Sequence, residues 1–328
     1  MAWLDLPIEE LREHCSKVVP ASDVREFWAL RLDAARALGE DPVLKPVKTQ
    51  LAMVDVMDVE FSGSNGHRVR GWFMRPKGVA GDLPCLVQYI GYGGGRSLHH
   101  EWTLWPSAGW ATLVMDTRGQ GWADTPDLAM SGNPQVPGFV TRGITDPGEH
   151  YYTRVFVDAA RAVDTARVMP GVDASRIAVG GGSQGGGITI AAAALSEGLI
   201  GALVGVPFWC DVLRAASITD SEPYSEIKNY LRARPYDTQA VERTLSYLDG
   251  AVMASLATVP ALFEIAMMDD VCPPSTCYAA YNAWAGPKEV REYPWSGHEG
   301  GDSHHVAVAL EWLAARAHGG PSMALGRR

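Results

Sequence analysis

The chain has 328 residues, 47% hydrophobic and 20% charged, a balance that excludes global disorder and allows a sizeable core. Its formal net charge of −10 argues against nucleic acid as a partner, because little is on hand to neutralise phosphates. Five scattered cysteines without C-x-x-C spacing suggest neither a disulfide framework nor a zinc site and suit a reducing compartment. No run approaches the roughly 18 apolar residues of a membrane span, and the acidic N-terminus carries no signal-peptide pattern. The expected location is the cytoplasm.

Residues 8 to 38 read as helical, with Ile8, Leu11, Val24, Phe27, Leu30 and Leu38 as partial apolar stripes. Residues 51 to 61 and 67 to 74 alternate around Gly63-Ser64-Asn65-Gly66, which predicts an antiparallel hairpin. Short apolar runs follow at Cys85–Ile90, Trp110–Met115, Arg176–Val179, Ala202–Val206, Ala261–Ala266 and Glu289–Tyr293. Amphipathic stretches lie among them at Tyr152–Val168, Thr189–Leu195, Ser275–Ala285 and His304–Ala317. Strands alternating with helices predict a parallel sheet buried on both faces, with a site along the C-terminal strand ends.

Two stretches break that rhythm. Residues 121 to 150 are rich in Gly, Pro, Asp and Thr, and loops of that length are usually functional or contact-forming. Residues 208 to 250 read as helices, Tyr224–Leu231 and Thr238–Leu248 being the clearest, where a cap is expected. The last ten or so residues read as frayed, and residues 1–328 as one domain with insertions.

The strongest local signal is Arg176-Ile-Ala-Val-Gly-Gly-Gly-Ser183-Gln-Gly-Gly-Gly-Ile, which contains G-x-S-x-G between an apolar strand and an apolar helix. A sharp strand-to-helix turn would hold Ser183 strained with its hydroxyl exposed, and side chains two residues either way would meet neighbouring backbone. A glycine-rich turn that binds phosphate, or serves packing alone, is the plainer alternative. A serine needs a base, itself oriented by a carboxylate, in the chain order serine, acid, histidine. His298, in a Gly-containing loop after the last strand, is the expected base; His304 and His305 fall in a helical pattern and read as surface or packing residues. Asp269 and Asp270 both follow the strand Ala261–Ala266, and position alone does not choose between them. Acyl transfer also needs two oxyanion donors. The backbone N–H of Gln184 is one candidate, and that of Tyr92, in the glycine-rich loop after Cys85–Ile90, is the other.

Three segments sharpen this reading: Asp116-Thr-Arg118-Gly119-Gln120-Gly, Gly181-Gly-Ser183-Gln184-Gly185-Gly186 and His298-Glu299. With Tyr89-Ile-Gly-Tyr-Gly-Gly-Gly-Arg and Cys272-Pro-Pro-Ser-Thr, they resemble the acetyl xylan esterase and cephalosporin C deacetylase family (carbohydrate esterase family 7), over about residues 1 to 316. The resemblance implies an α/β-hydrolase fold and a catalytic set of Ser183, Asp269 and His298. It implies oxyanion donors at Tyr92 and Gln184, and a small acyl pocket lined by Tyr92, Trp105, Pro223 and Val271. Arg118, Gly119, Gln120 and Glu299 would support the site rather than react. It further implies small acetylated substrates, no cofactor or metal, and a cytoplasmic homohexamer with residues 121 to 150 at an interface. Ile90 stands where many members carry histidine, a departure of little expected consequence because the backbone of Tyr92 would act.

Overall fold

A computed structural model describes residues 5–122, 124–128 and 138–318. In chain order the elements are α1 (Ile8–Glu13), α2 (Val24–Ala37), β1 (Val43–Pro46), β2 (Val54–Ser62), β3 (Arg68–Pro76), β4 (Leu83–Tyr89), α3 (Leu104–Ser107) and β5 (Ala111–Met115). There follow α4 (Tyr151–Arg167), β6 (Val172–Gly182), α5 (Gln184–Leu195), β7 (Leu199–Gly205), α6 (Val212–Ile218), α7 (Tyr224–Ala233), α8 (Thr238–Leu248) and α9 (Gly250–Ala254). The chain closes with β8 (Ala261–Ala266), α10 (Pro274–Ala283), β9 (Lys288–Tyr293) and α11 (Asp302–Ala317).

Among the described residues the strands form one nine-stranded sheet, in the order β1-β2-β3-β5-β4-β6-β7-β8-β9. The pairs from β1 to β5 through β2 and β3 are antiparallel, and every pair from β5 to β9 is parallel. The sheet is thus mostly parallel with an antiparallel start, as the hairpin signature predicts. Alternation along β4 divides the core: Cys85, Val87 and Tyr89 face the larger apolar cluster with Trp28, Phe156, Ile188 and Tyr278, whereas Leu86 faces a smaller one. That smaller cluster holds Trp105, Trp110, Leu262, Trp312 and Leu313, so helices cover both faces.

Three local departures from the sequence reading have physical causes. The helical stretch 8 to 38 is two helices, separated at residues 14–23, where Pro20 has no N–H to donate and disfavours helix at Val19. The strand around Arg176–Val179 runs on through Gly180, Gly181 and Gly182, whose lack of side chains lets neighbouring strands approach. β9 lies at the sheet edge and is half-buried along its length, unlike the apolar strands inside. Within the expected interface stretch 121 to 150, residues 123 and 129–137 lie outside the described residues, as does the tail 319–328.

Register brings the site together. Tyr89 pairs with Gly181 and Gly182 with Gly205, so β4, β6 and β7 end level with one another. Ala266 pairs with Tyr293, so β8 and β9 also end together. The chain reverses direction of growth between β4 and β6, the switch point at which open α/β sheets place their ligands.

Candidate active site

Ser183 follows β6 directly and precedes α5, at φ 58° and ψ −123°. Such a conformation costs a non-glycine residue on the order of 1–3 kcal/mol. Backbone bonds hold it there: Ser183 N–H donates to Gly205 O at 3.0 Å, and Ser183 O accepts from Phe208 N–H at 2.9 Å and Gly187 N–H at 3.1 Å. The flanking glycines are required by close approach. A Cβ at Gly181 would stand 2.7 Å from the Tyr89 carbonyl oxygen, and one at Gly185 only 2.4 Å from it. Because α5 begins at Gln184, that residue's N–H belongs to the unpaired helix N-terminus beside the serine.

Ser183 Oγ lies 2.9 Å from His298 Nε2, and His298 Nδ1 lies 2.8 Å from Asp269 Oδ2. A carboxylate only accepts, so Nδ1 carries the proton and Nε2 is left to accept from the serine hydroxyl. Asp269 is buried, and its Oδ1 accepts from the backbone N–H groups of Val271 and Cys272, each at 2.8 Å. Asp270 instead offers its backbone carbonyl to the Thr219 hydroxyl. Burial works against a charge on His298. The hydrogen bond and charge of Asp269, with Asp270 and Glu299 behind it, outweigh burial and raise the imidazole pKa. A hydroxyl that can pass its proton to an imidazole backed by a carboxylate has the means for nucleophilic acyl transfer.

The Arg118-Gly119-Gln120 segment supports this centre from behind. Gln120 Oε1 accepts from Gly93 N–H at 2.8 Å, in the loop that carries Tyr92. Gln120 Nε2 donates to Gln184 Oε1 at 2.8 Å, and Gln184 Nε2 donates to Ile90 O at 3.0 Å. The two amides therefore tie the Tyr92 loop to the serine turn. Gly119, at φ 72°, donates its N–H to Thr125 O at 2.7 Å. Asp116 binds Arg96 N–H at 2.7 Å and Thr125 N–H at 2.9 Å; burial nonetheless lifts its carboxyl to about 6. Arg118 is fully buried and pairs bidentately with Asp158, at 2.6 and 2.7 Å. Asp127 bridges Arg118 and Arg154, so the two guanidinium groups are matched by two carboxylates. Glu299 is exposed and accepts from Gly297 N–H at 2.9 Å, which shapes the His298 loop.

The residues given to the acyl pocket separate into two environments. Tyr92 and Val271 pack against the larger cluster, the Tyr92 ring lying near Phe139 and Phe208, and Pro223 is buried at the start of α7. Trp105 belongs to the smaller cluster, its ring 5.8 Å from that of Trp110. Asp269, Cys272 and His298 also bring ligand-type atoms within 4.8 Å of one another. The Asp269 and His298 atoms are engaged in the hydrogen bonds above, and burial pushes the Cys272 thiol well up, away from the thiolate a metal needs.

Several contributors escaped the sequence reading. Tyr152 donates its hydroxyl to Gln184 Oε1 at 2.8 Å, and Tyr151 hydroxyl donates to Arg118 O at 2.5 Å. Two adjacent aromatics opening a helix give no signal beyond packing. Glu226, on α7, accepts from the Tyr92 hydroxyl at 3.0 Å and links the 208–250 stretch to the glycine-rich loop. Glu264 had a visible signal, a carboxyl inside an otherwise apolar strand.

Comparison with known proteins identifies the family. The chain resembles an acetyl xylan esterase from Paenibacillus sp. R4 at 40% identity and TM-score 0.88, over 94% of this chain and 99% of that one. It resembles acetyl xylan esterase 1 from Thermoanaerobacterium sp. JW/SL YS485 at 29% identity and TM-score 0.88, over 95% and 99%. A curated relative, the acetyl esterase Axe7A of Xylanibacter ruminicola, is 25% identical over 84% of this chain, which spans 63% of that relative's length. The family described as acetyl xylan esterase matches residues 1–316. With that match, on a sheet of this order, the chain belongs to the acetyl xylan esterase family of α/β-hydrolases.

Proposed function

We propose that this protein is a serine esterase that removes acetyl groups from small acetylated sugars such as xylo-oligosaccharides, and from similar acetate esters such as cephalosporin C. The observation that carries the reading is the continuous series from Ser183 through His298 to Asp269, at 2.9 and 2.8 Å. His298 takes the serine proton as Oγ attacks the acetyl carbonyl, and Asp269 holds the imidazole in its reactive tautomer. The oxyanion that forms rests on the backbone N–H groups of Tyr92 and Gln184. The sugar alcohol leaves with the proton from His298, and water activated by the same imidazole releases acetate from Ser183. Tyr92, Pro223 and Val271 bound a small acyl pocket that favours acetyl over longer chains, whereas Trp105, the fourth residue the resemblance gives to it, packs with Trp110 in the smaller cluster. Arg118, Gly119, Gln120 and Glu299 keep these parts in place, and no cofactor or metal takes part.

In this reading the chain is one α/β domain with a helical extension over about residues 1–40, an interface insertion over about 121–150 and a cap over about 208–250. It works as a cytoplasmic homo-oligomer, a hexamer by family resemblance. Trp122 and Leu128, 65% and 62% exposed within the insertion, offer the apolar surface an interface needs. The five cysteines are free, in keeping with a reducing compartment. Among the described residues no helix is long and apolar enough to cross a membrane.

The test is an acyl-chain series on nitrophenyl esters, with acetylated xylo-oligosaccharides and cephalosporin C beside it. Acetate is expected to be the best acyl group, and Ser183→Ala to lower kcat by roughly 10⁶-fold. A maximum at octanoate, or preference for a peptide anilide, would replace this reading with a broader esterase or a peptidase.

A further inference from the structure

All six residues of β8, Ala261-Leu-Phe-Glu-Ile-Ala266, are buried, and Glu264 is the one among them that ionises. A carboxyl so placed is costly unless its oxygens find partners. Its Oε1 accepts from Gly301 N–H at 2.6 Å, three residues beyond His298. Two glycines make room for it. A Cβ at Gly300 would stand 2.3 Å from Oε1, and one at Gly205 would stand 3.0 Å from Oε2. Gly205 is also the residue whose carbonyl takes Ser183 N–H, while the Glu264 carbonyl accepts from Val206 N–H at 2.9 Å. One carboxyl therefore sits between the strand end that pins Ser183 and the loop that carries His298.

We propose that Glu264 is a positioning residue that holds the His298 loop against the Ser183 turn through its bond to Gly301. The proposal rests on the roles given above to Ser183 and His298. It goes beyond the resemblance, which assigns this position nothing.

The groups around the carboxyl define how it responds to pH. From α11, His305 Nε2 lies 3.8 Å from Oε2, and the Tyr293 hydroxyl of β9 lies 3.0 Å from His305 Nδ1. A phenol donating to Nδ1 leaves the proton on Nε2, facing the carboxyl. Arg291 is the ladder partner of Glu264 on β9, Asp302 opens α11, and His298 stands in the loop between. Burial lifts the Glu264 carboxyl to about 7; the Gly301 N–H opposes the rise, Asp302 adds to it, and His298 opposes it. Burial, with Arg291, pushes His305 down to about 4, so it stays neutral while Glu264 titrates. As pH rises through neutrality the new carboxylate binds Gly301 N–H more strongly. The same charge favours the imidazolium of His298 and so draws the acid limb of the rate profile upward.

The experiment compares wild type, Glu264→Gln and Glu264→Leu, measuring kcat and KM for nitrophenyl acetate from about pH 5 to 9. Glutamine keeps an oxygen for Gly301 but cannot ionise. It should retain a plateau kcat within about threefold of wild type while its acid limb moves to lower pH. Leucine should lower kcat by about 10- to 100-fold with KM little changed, because the base is misplaced rather than the substrate released. Hydrogen exchange across residues 297–301 should quicken in the leucine variant and not in the glutamine one. Wild-type kcat, pH profile and exchange in both variants would overturn the proposal, as would equal losses in kcat and KM that glutamine does not rescue. The exchange readout does not depend on which residue is the nucleophile, so its failure is distinguishable from a failure of the Ser183 assignment, which Ser183→Ala tests.

Discussion

Around Ser183 the holding contacts are neutral: backbone bonds to Gly205, Gly187 and Phe208, and the amide pair of Gln120 and Gln184. Around His298 they are carboxyl groups: Asp269 on Nδ1, Glu264 on the Gly301 N–H and Glu299 on the Gly297 N–H. Neutral contacts keep their geometry across the working pH range, whereas carboxyl contacts also set the charge of the group they hold. The serine half of the site thus has a fixed shape, and the histidine half couples shape to pH.

The largest effect that should separate the halves is Asp269→Asn. It should lower kcat by about 10⁴-fold, because the wrong imidazole tautomer is then favoured. It should also move the acid limb to lower pH, since Asp269 is what raises His298 against the effect of burial. The sign for stability follows from the same shift. A raised imidazole pKa stabilises the fold below its ordinary value of 6.5, and that contribution is lost as pH rises through the raised value. The variant should lack this pH-dependent part of its stability, as denaturant midpoints at several pH values would show.

Arg118→Met should come next, acting on stability rather than on pH. It leaves Asp158 buried without its bidentate partner, a loss of about 3–5 kcal/mol. An unchanged denaturation midpoint would show that the ion network does not brace the site. The smallest effect expected is that of Gln120→Leu, which frees Gly93 N–H and leaves Gln184 Oε1 with Tyr152 as its donor. It should lower kcat by about 10- to 100-fold, as for a misplaced oxyanion donor, without moving the acid limb. A shifted acid limb in this variant would break the division between the two halves.

The halves also differed in how far the sequence disclosed them. The serine turn was legible because glycines at fixed spacing between an apolar strand and helix are a local requirement of that geometry. The parallel pairing of the strands follows from alternation with helices, and Tyr224–Leu231 and Thr238–Leu248 match α7 and α8 closely. Position left Asp269 and Asp270 open, and only resemblance separated them before the structure placed Asp269 on His298. His305 read as a surface or packing residue, and it is indeed buried, but no local pattern disclosed the carboxyl of Glu264 that its Nε2 faces. Tyr151, Tyr152 and Glu226 act through partners distant along the chain, and no local pattern encodes such pairings. β1 is four residues at an exposed edge, too short to announce itself.

The proposed role of Ser183, a nucleophile acylated by a small acetate ester, underlies each of these expectations. Its most direct test is peptide mass spectrometry after treatment with a fluorophosphonate, with and without excess acetate ester. One adduct is expected, on Ser183, suppressed by the ester and absent from Ser183→Ala. An adduct elsewhere, or none from a protein that still hydrolyses acetate esters, would contradict it.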